Sequence, residues 1–517
     1  MRLSILTAVF TALTLSLSLR AKADKLMILD SVQDTMQARV DLIKEAKHTI
    51  DVQYFTVEHD TLSVAGLALI KEAARRGVNI RIIVDSMHNL MTRELMSAFL
   101  DNLKPAALKN IEIREFNQFN LFRPFCYTRR MHDKALIIDN EYLIVGDRNV
   151  GNGYYNGDKI KDGKANIIGE TRGLPIYQGV DALIQGSTAA SLATKYFSAR
   201  WDSNAVKPVR LYEYSQDALS AGYCFLKAGE GSNSDCDQRQ SFNISVVKSE
   251  MIRLEKALTS INNEKLVKLN QAKTWFNEAI DIDAVEYLHD KVGEKKLCDG
   301  KDETDNIGSR LYKAIEENTT NDVIIMTPYL VATPEMENLV KTLVTKGIQV
   351  RFVTNSKASN DVPSAHAGYL KTRQKLLDQG ATIYEYEKLD SALNTIHTLH
   401  AKVVLIDTNG SAEKSKIFIG SYNWDPRSQN LNSEVGILAT VRGKKDVPTL
   451  QVRKRMADIL RSTTWITKDN ASDKIIATKY SDDVDINKML DERSKAVDSW
   501  TGLLNNKLFG QFLEGQL

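Results

Sequence analysis

The chain has few residues that could staple it together: its 517 residues include 4 cysteines and 9 prolines. No cysteine stands in a CxxC or Cys/His spacing, so nothing supports a structural zinc site. A surplus of either charge is also missing, because 68 Lys+Arg face 66 Asp+Glu. An anionic substrate must then be drawn in by a local patch, and the composition offers no sign of nucleic-acid binding. Past residue 19 there is no apolar run long enough to cross a bilayer. What remains, 43% hydrophobic and 26% charged residues, is the make-up of a soluble globular protein. The length asks for two large domains or more.

The first residues are the exception. A short basic start precedes an apolar run from Leu3 to Leu19 and then Ala21-Lys22-Ala23, the pattern of a secretory signal peptide (1–23) cut after Ala23. An uncleaved anchor is the alternative, since Arg20 and Lys22 flank the run; against it, the run falls short of the roughly 20 residues that span a bilayer. Either way the catalytic part is expected outside the cytosol, periplasmic or on the outer side of the inner membrane, or secreted. Cys126, Cys224, Cys236 and Cys298 are an even set, compatible with disulfides in an oxidising compartment. Cys224 and Cys236 would close a short loop and are the favoured pair.

An internal duplication organises the rest. Arg76-Gly77-Val78-Asn79-Ile80-Arg81-Ile82-Ile83-Val84-Asp85-Ser86 is matched 270 positions on by Lys346-Gly347-Ile348-Gln349-Val350-Arg351-Phe352-Val353-Thr354-Asn355-Ser356. Glu115-Phe116 and Glu385-Tyr386 keep that offset, and His132 and His400 follow at 268. Each half reads strand (Thr49 to Thr56; Asp322 to Met326), helix (Val64 to Arg76; Pro334 to Lys346), strand, with the glycines as helix stops. Strands alternating with helices predict an α/β architecture with buried sheets. The boundaries expected are 24–206 for the first domain, 207–308 for a polar helical connection, 309–468 for the second domain and 469–517 for a C-terminal helical extension. Trp500, Leu503, Leu504, Leu508, Phe509, Phe512 and Leu513 have amphipathic spacing, for packing on the body or for facing a membrane.

Two short motifs carry the chemistry. His132-Asp133-Lys134 runs into Ala135-Leu136-Ile137-Ile138-Asp139, and His400-Ala401-Lys402 into Val403-Val404-Leu405-Ile406-Asp407. Strand alternation puts each His and Lys on one face. Histidine serves as nucleophile or general acid near neutral pH, and a lysine beside it fixes a phosphate oxygen as a point charge. Two such faces brought together would surround a phosphodiester with two imidazoles and two ammonium groups, enough for covalent phosphoryl chemistry without a metal or cofactor. One copy alone would be read as a solvated strand face; two at matching points of a duplicated chain reverse that reading.

These paired HxKxxxxD motifs resemble the phospholipase D superfamily, and within it the bacterial cardiolipin synthase C-like branch. Gly420-Ser421-Tyr422-Asn423-Trp424-Asp425-Pro426-Arg427-Ser428 and Asn432-Ser433-Glu434 are similar to its GSxN element and downstream acidic residue. Asn355-Ser356, Asn360-Asp361-Val362-Pro363 and His366-Ala367-Gly368-Tyr369 are similar to another stretch of that branch. The resemblance implies two α/β/α domains packed with pseudo-two-fold symmetry and a phosphohistidine intermediate, with His132 as nucleophile and His400 as acid. It further implies that Lys134 and Lys402 hold non-bridging oxygens, that Asn149, Asn423 and Ser421 donate to substrate, and that Glu434 orients an imidazole across the interface. Asp139 and Asp407 would support structure.

The first half departs from that pattern. Gly146-Asp147-Arg148-Asn149 places an aspartate where a small residue or serine is expected, a charge that could repel a phosphate. Gly179 stands where an acidic partner like Glu434 belongs, and Asp181 is a substitute two residues on. His397 and His59 are weaker candidates, both expected on loops or surface, and Arg129-Arg130 lies close enough to His132 to add positive potential. The implied function is a phosphatidyl-transferring or hydrolysing enzyme on phospholipids at a membrane surface. A secreted metal-independent nuclease, and a lipid-binding homologue with impaired catalysis, are the alternatives.

Overall fold

The computed structural model describes residues 23–58, 61–90, 96, 99–100, 103, 105–119, 121, 128–155, 176–209, 279–292, 305–390, 395–407, 414–442, 446–468 and 475–479. The apolar leader, His59, all four cysteines, the final amphipathic stretch and, except for Ala279, the part of the expected linker with a helical period, Val246 to Ala279, lie outside the described residues.

The first half contains β1 (Lys25–Leu29), β2 (Thr49–Tyr54), β3 (Asn79–Asp85), β4 (Ile111–Phe116), β5 (Lys134–Ile138), β6 (Tyr142–Gly146), β7 (Ile176–Gln178), β8 (Asp181–Gln185), β9 (Val206–Pro208) and β10 (Ile280–Asp281). All but β7 form one sheet in the order β10-β1-β8-β6-β5-β2-β3-β4-β9. The second half contains β11 (Ala284–His289), β12 (Asp322–Met326), β13 (Gln349–Asn355), β14 (Thr382–Tyr386), β15 (Lys388–Asp390), β16 (Thr395–Leu399), β17 (Val403–Ile406), β18 (Ser415–Gly420), β19 (Val435–Val441), β20 (Thr463–Lys468) and β21 (Ile475–Lys479). Its sheet runs β11-β19-β18-β17-β12-β13-β14-β20-β21. The two orders match strand for strand from β1 and β11 outward, and β10 and β21 are extra strands on opposite edges. The duplication read from the sequence is therefore one of topology.

In each sheet three central strands are parallel, β2 to β4 and β12 to β14, and the others antiparallel. Parallel neighbours need a crossover; the helices Thr61–Arg75 and Pro334–Thr345 supply it. Both end at a glycine with positive φ, Gly77 at 96° and Gly347 at 79°, a conformation that spares glycine the steric cost other residues meet there.

Three apolar cores follow. One lies between the first sheet and helices Val32–Glu45 and Thr61–Arg75, and its counterpart lies outside the second sheet. The third joins the halves: Ile137, Val145 and Ile184 pack in one cluster with Val403, Ile419 and Ile437. Because this core covers the faces that the outer helices leave bare, β5 and β17 are buried along their whole length.

Two differences from the sequence reading concern the connections. The described parts of the expected helical linker are strands, with β9 and β10 on the first sheet and β11 on the second, until a helix begins at Ile307. Within the expected helical extension, β21 pairs with β20. Both places are short and edge-located, where the ladder of a neighbouring strand decides the conformation and local propensity is weak. Among the described residues no helix is long and apolar enough to cross a membrane.

Candidate active site

Each motif histidine sits just before the strand that pairs with β2 or β12, and each is tied by its backbone to the other half. The His132 amide donates to Ser433 O (2.9 Å), and Ser433 returns a bond to Arg130 O (2.9 Å). The His400 amide donates to Gln178 O (2.9 Å), where β7 pairs in parallel with β16 across the interface. The site is thus assembled only when both halves meet. Two positions beyond each histidine, Lys134 and Lys402 turn back and donate to the carbonyl of their own histidine, both at 2.8 Å. All four side chains are buried.

A carboxylate reaches each imidazole from the opposite half. His132 Nδ1 lies 3.0 and 2.9 Å from the two oxygens of Glu434. Glu434 is held in turn: Ser421 donates to Oε2 (2.5 Å), Ser428 to Oε1 (2.6 Å), and its own amide donates to Asp290 (2.8 Å). On the other side His400 Nδ1 faces Asp147 Oδ1 at 3.3 Å. Where the Nδ1 proton faces the carboxylate, Nε2 is left as the reactive nitrogen; at His400 the Lys402 Nζ also lies 3.3 Å from Nδ1 and 3.4 Å from Nε2.

That second pairing corrects the reading of Asp147 and Asp181. Asp147 does not oppose a phosphate; its carboxylate is turned onto His400. Asp181 is no substitute, because it accepts from Thr35 (2.6 Å) and pairs with Arg39 (2.9 Å) and Arg148 (3.3 Å). Burial works to raise the Asp181 carboxyl, but Arg39, Arg148 and the Thr35 hydroxyl together hold it below the ordinary range. The sequence grounds for an impaired first half therefore disappear.

Other expected roles shift as well. The Ser421 hydroxyl serves Glu434, not a substrate oxygen. Asn149 uses its amide locally, with Nδ2 donating to the Tyr154 hydroxyl (2.8 Å) and Oδ1 accepting from Thr56 N (3.3 Å). Asn423 is buried with a side-chain oxygen that has no protein partner; an amide oxygen accepts, so this atom can meet a hydroxyl but not a phosphate oxygen. Asp139 and Asp407 lie at the far ends of β5 and β17, both at φ 53°. Asp139 accepts from the amides of Lys47, His48 and Thr49, and Asp407 from those of Thr320, Asn321 and Asp322. They fasten the start of β2 and β12, at the opposite end of each motif from its histidine. Arg130 is matched by Asp85 (3.0 Å), and His397 is in β16, not a loop, with Nδ1 2.9 Å from Gln178 Nε2.

Sequence reasoning missed the aromatic surround. Phe55 meets the His132 ring edge-on (4.8 Å) and stacks on His88 (4.4 Å). Around His400, Tyr154 and Tyr177 stack on each other (4.3 Å) and meet its ring at 5.2 and 5.1 Å. None of these shares an offset or motif with the histidines, so no spacing signal pointed to them.

The electrostatics follow from closing two cationic motifs on each other out of water. Burial first, then the Lys402 ammonium, lower Lys134 to about 7; burial lowers Lys402 to about 8 in spite of Asp147 and Glu434 nearby. Burial and the two ammonium groups also push His132 and His400 well below the usual imidazole range, so both rest neutral. Burial lifts Asp147 to about 7 against the pull of Lys402 and Arg148. Such a centre is short of negative charge and is relaxed by a phosphate.

The chain is similar to known proteins over most of its length. The family described as "Cardiolipin synthase, PLD-like domain" matches residues 40–159 and 312–452. Cardiolipin synthase C of Escherichia coli (strain K12) is 27% identical over 430 residues, 79% of this chain and 80% of that protein. Cardiolipin synthase 2 of Bacillus anthracis is 24% identical over 405 residues, 78% of this chain and 59% of that protein. The phosphatidylserine synthase structure of Haemophilus influenzae Rd KW20 has the same fold, with a TM-score of 0.58 at 14% identity, covering 96% of this chain and 98% of that one.

Proposed function

Because the chain belongs to the family of cardiolipin synthases with phospholipase D-like domains, we propose that it is a phosphatidyltransferase that acts on phospholipids through a phosphohistidine and needs no metal. The observation that supports this most directly is the pair of neutral, carboxylate-held imidazoles, each with a lysine beside it. His132 Nε2 attacks phosphorus and forms the P–N bond while the ester oxygen of the headgroup leaves. His400, which takes up a proton on Nε2 when the anionic phosphodiester binds beside it, gives that proton to the leaving oxygen. In the second step an acceptor alcohol loses its proton to His400 and attacks phosphorus, the P–N bond breaks, and His132 is regenerated. Water in place of the alcohol gives phosphatidic acid; the hydroxyl of a second phospholipid gives a cardiolipin. Lys134 and Lys402 neutralise the non-bridging oxygens.

His132 takes the nucleophile's place because Glu434, with both oxygens on Nδ1, stabilises the charge that develops as Nε2 bonds to phosphorus. The apolar leader supports export, with the enzyme working at a membrane surface outside the cytosol.

The test is to incubate the mature protein with vesicles of phosphatidylglycerol, with phosphatidylethanolamine and with single-stranded DNA, each in EDTA, beside His400→Ala. Cardiolipin or phosphatidic acid that persists in EDTA and vanishes in the variant supports the proposal. Cleaved DNA with intact lipid sinks it and makes the protein a nuclease.

A further inference from the structure

The two halves hold their histidines with different residues, and strand register shows how these correspond. Gly146 pairs with Asp181 across β6 and β8, and Gly420 with Gly436 across β18 and β19. Continuing both ladders outward, Asp147 corresponds to Ser421 and Gly179 to Glu434. In the second half the Ser421 hydroxyl accepts from the Val435 amide (3.0 Å) and donates to Glu434, which holds His132. In the first half Asp147 Oδ2 accepts from the Val180 amide (2.6 Å), and Oδ1 faces His400. One oxygen of Asp147 takes the task of the Ser421 hydroxyl, and the other takes the task of the Glu434 carboxylate.

Position 179 is then left with no task and no room. A Cβ at Gly179 would lie 2.2 Å from Asp147 Oδ1 and 3.1 Å from Arg148 Cγ. A side chain there would drive the carboxylate off His400, and a glutamate there would also set a second carboxylate against Asp147 in a buried site. The aspartate and the glycine depend on each other.

We infer that Asp147 and Gly179 act as one positioning device for His400: a carboxylate supplied from the neighbouring strand, and a side chain deleted to admit it. The inference rests on His400 being the acid–base group of the proposed reaction, so its test reads the imidazole itself as well as the rate. ¹⁵N-histidine NMR of the full chain, with the His400 signals identified by their loss in His400→Asn, reports tautomer and pKa. Rates on phosphatidylglycerol vesicles are measured in parallel.

Asp147→Asn is expected to move the His400 signals and leave those of His132 in place, with kcat reduced roughly 100-fold and KM little changed. Gly179→Ala is expected to do the same in the natural chain but to change the rate less than about twofold in an Asp147→Ser background, where the crowded atom is gone. The exchange Asp147→Ser with Gly179→Glu is expected to restore at least about tenfold of what Asp147→Ser loses and to return the His400 signals. The inference is overturned by His400 signals that ignore Asp147→Asn, by an equal effect of Gly179→Ala in both backgrounds, or by a folded exchange variant no better than Asp147→Ser. A natural chain inert toward phospholipid overturns the proposed function, while the NMR arm still decides the role of Asp147.

Discussion

The His132 and His400 sides of the site can be compared group by group. Both put a buried imidazole against a carboxylate, a lysine against its carbonyl and an aromatic ring against its edge. They differ in how firmly the carboxylate is held. Glu434 meets Nδ1 with both oxygens near 3 Å and is braced by two serine hydroxyls. Asp147 meets Nδ1 with one oxygen at 3.3 Å while the other is taken by a backbone amide. A duplicated fold can therefore keep a chemical part and change the residues that make it, as long as distance and direction are preserved. On the proposed mechanism the work is also divided: the firmly held imidazole bonds covalently to phosphorus, and the more loosely held one passes a proton that must come and go.

The largest effects should come from the imidazoles. His132→Ala and His400→Ala should each lower kcat by about 10⁴-fold or more. They should differ in trapping: labelled phosphate from substrate should stay on His400→Asn and not on His132→Asn, and label retained by His132→Asn would reverse the assigned roles.

Next comes the carboxylate contrast. Glu434→Gln should lower kcat roughly 1000-fold, more than the change expected for Asp147→Asn, because it removes a two-oxygen contact. Equal losses measured under saturating substrate would erase the distinction drawn between the two sides.

Asp139→Asn and Asp407→Asn test the outer ends of the same motifs. Each leaves three backbone amides facing a weaker acceptor, so each should lower stability by about 1–3 kcal/mol in denaturant unfolding with kcat nearly unchanged. A large loss of kcat in a folded variant would bring these aspartates back into the chemistry.

The smallest effect concerns the shared cationic centre. Lys134 and Lys402, at about 7 and about 8, lose their protons as pH rises through that range, and an anion favours the charged forms. Sulfate, whose own charge is constant there, should bind roughly tenfold more tightly at pH 6.5 than at pH 8.5, with proton uptake seen by calorimetry in two buffers. Binding that is flat with pH would mean that the ammonium groups stay charged throughout. The same shifts make the unfolded chain bind more protons than the folded one from about pH 7 to the ordinary lysine range, so stability without ligand should rise with pH across that window.

Much of this was legible in the sequence. The 270-residue offset located the matched strands β3 and β13, and the glycines after the crossover helices marked their ends. The motif pair identified the imidazoles and ammonium groups, because a period-two strand fixes which residues share a face. Glu434 was legible by resemblance. In the sequence Asp147 and Gly179 both stand out as departures, but as two separate faults. Only the ladder between β6 and β8, which sets Asp147 beside Val180, turns them into one arrangement. The edge strands β9, β10 and β21 were not legible, since nothing local distinguishes a short strand from a loop until a neighbour offers its ladder.

The sequence by itself determined the duplication, the strands that carry the motifs and the reacting groups, because each of these is set by local period and residue chemistry. The tertiary structure alone decided which carboxylate serves which histidine, that Asp181 is tied up by Arg39 and Arg148, and that tyrosines wall His400 while Phe55, itself stacked on His88, walls His132. Those are contacts between segments tens to hundreds of residues apart. Their distances are set by packing within each half and of one sheet on the other, and no spacing along the chain encodes them.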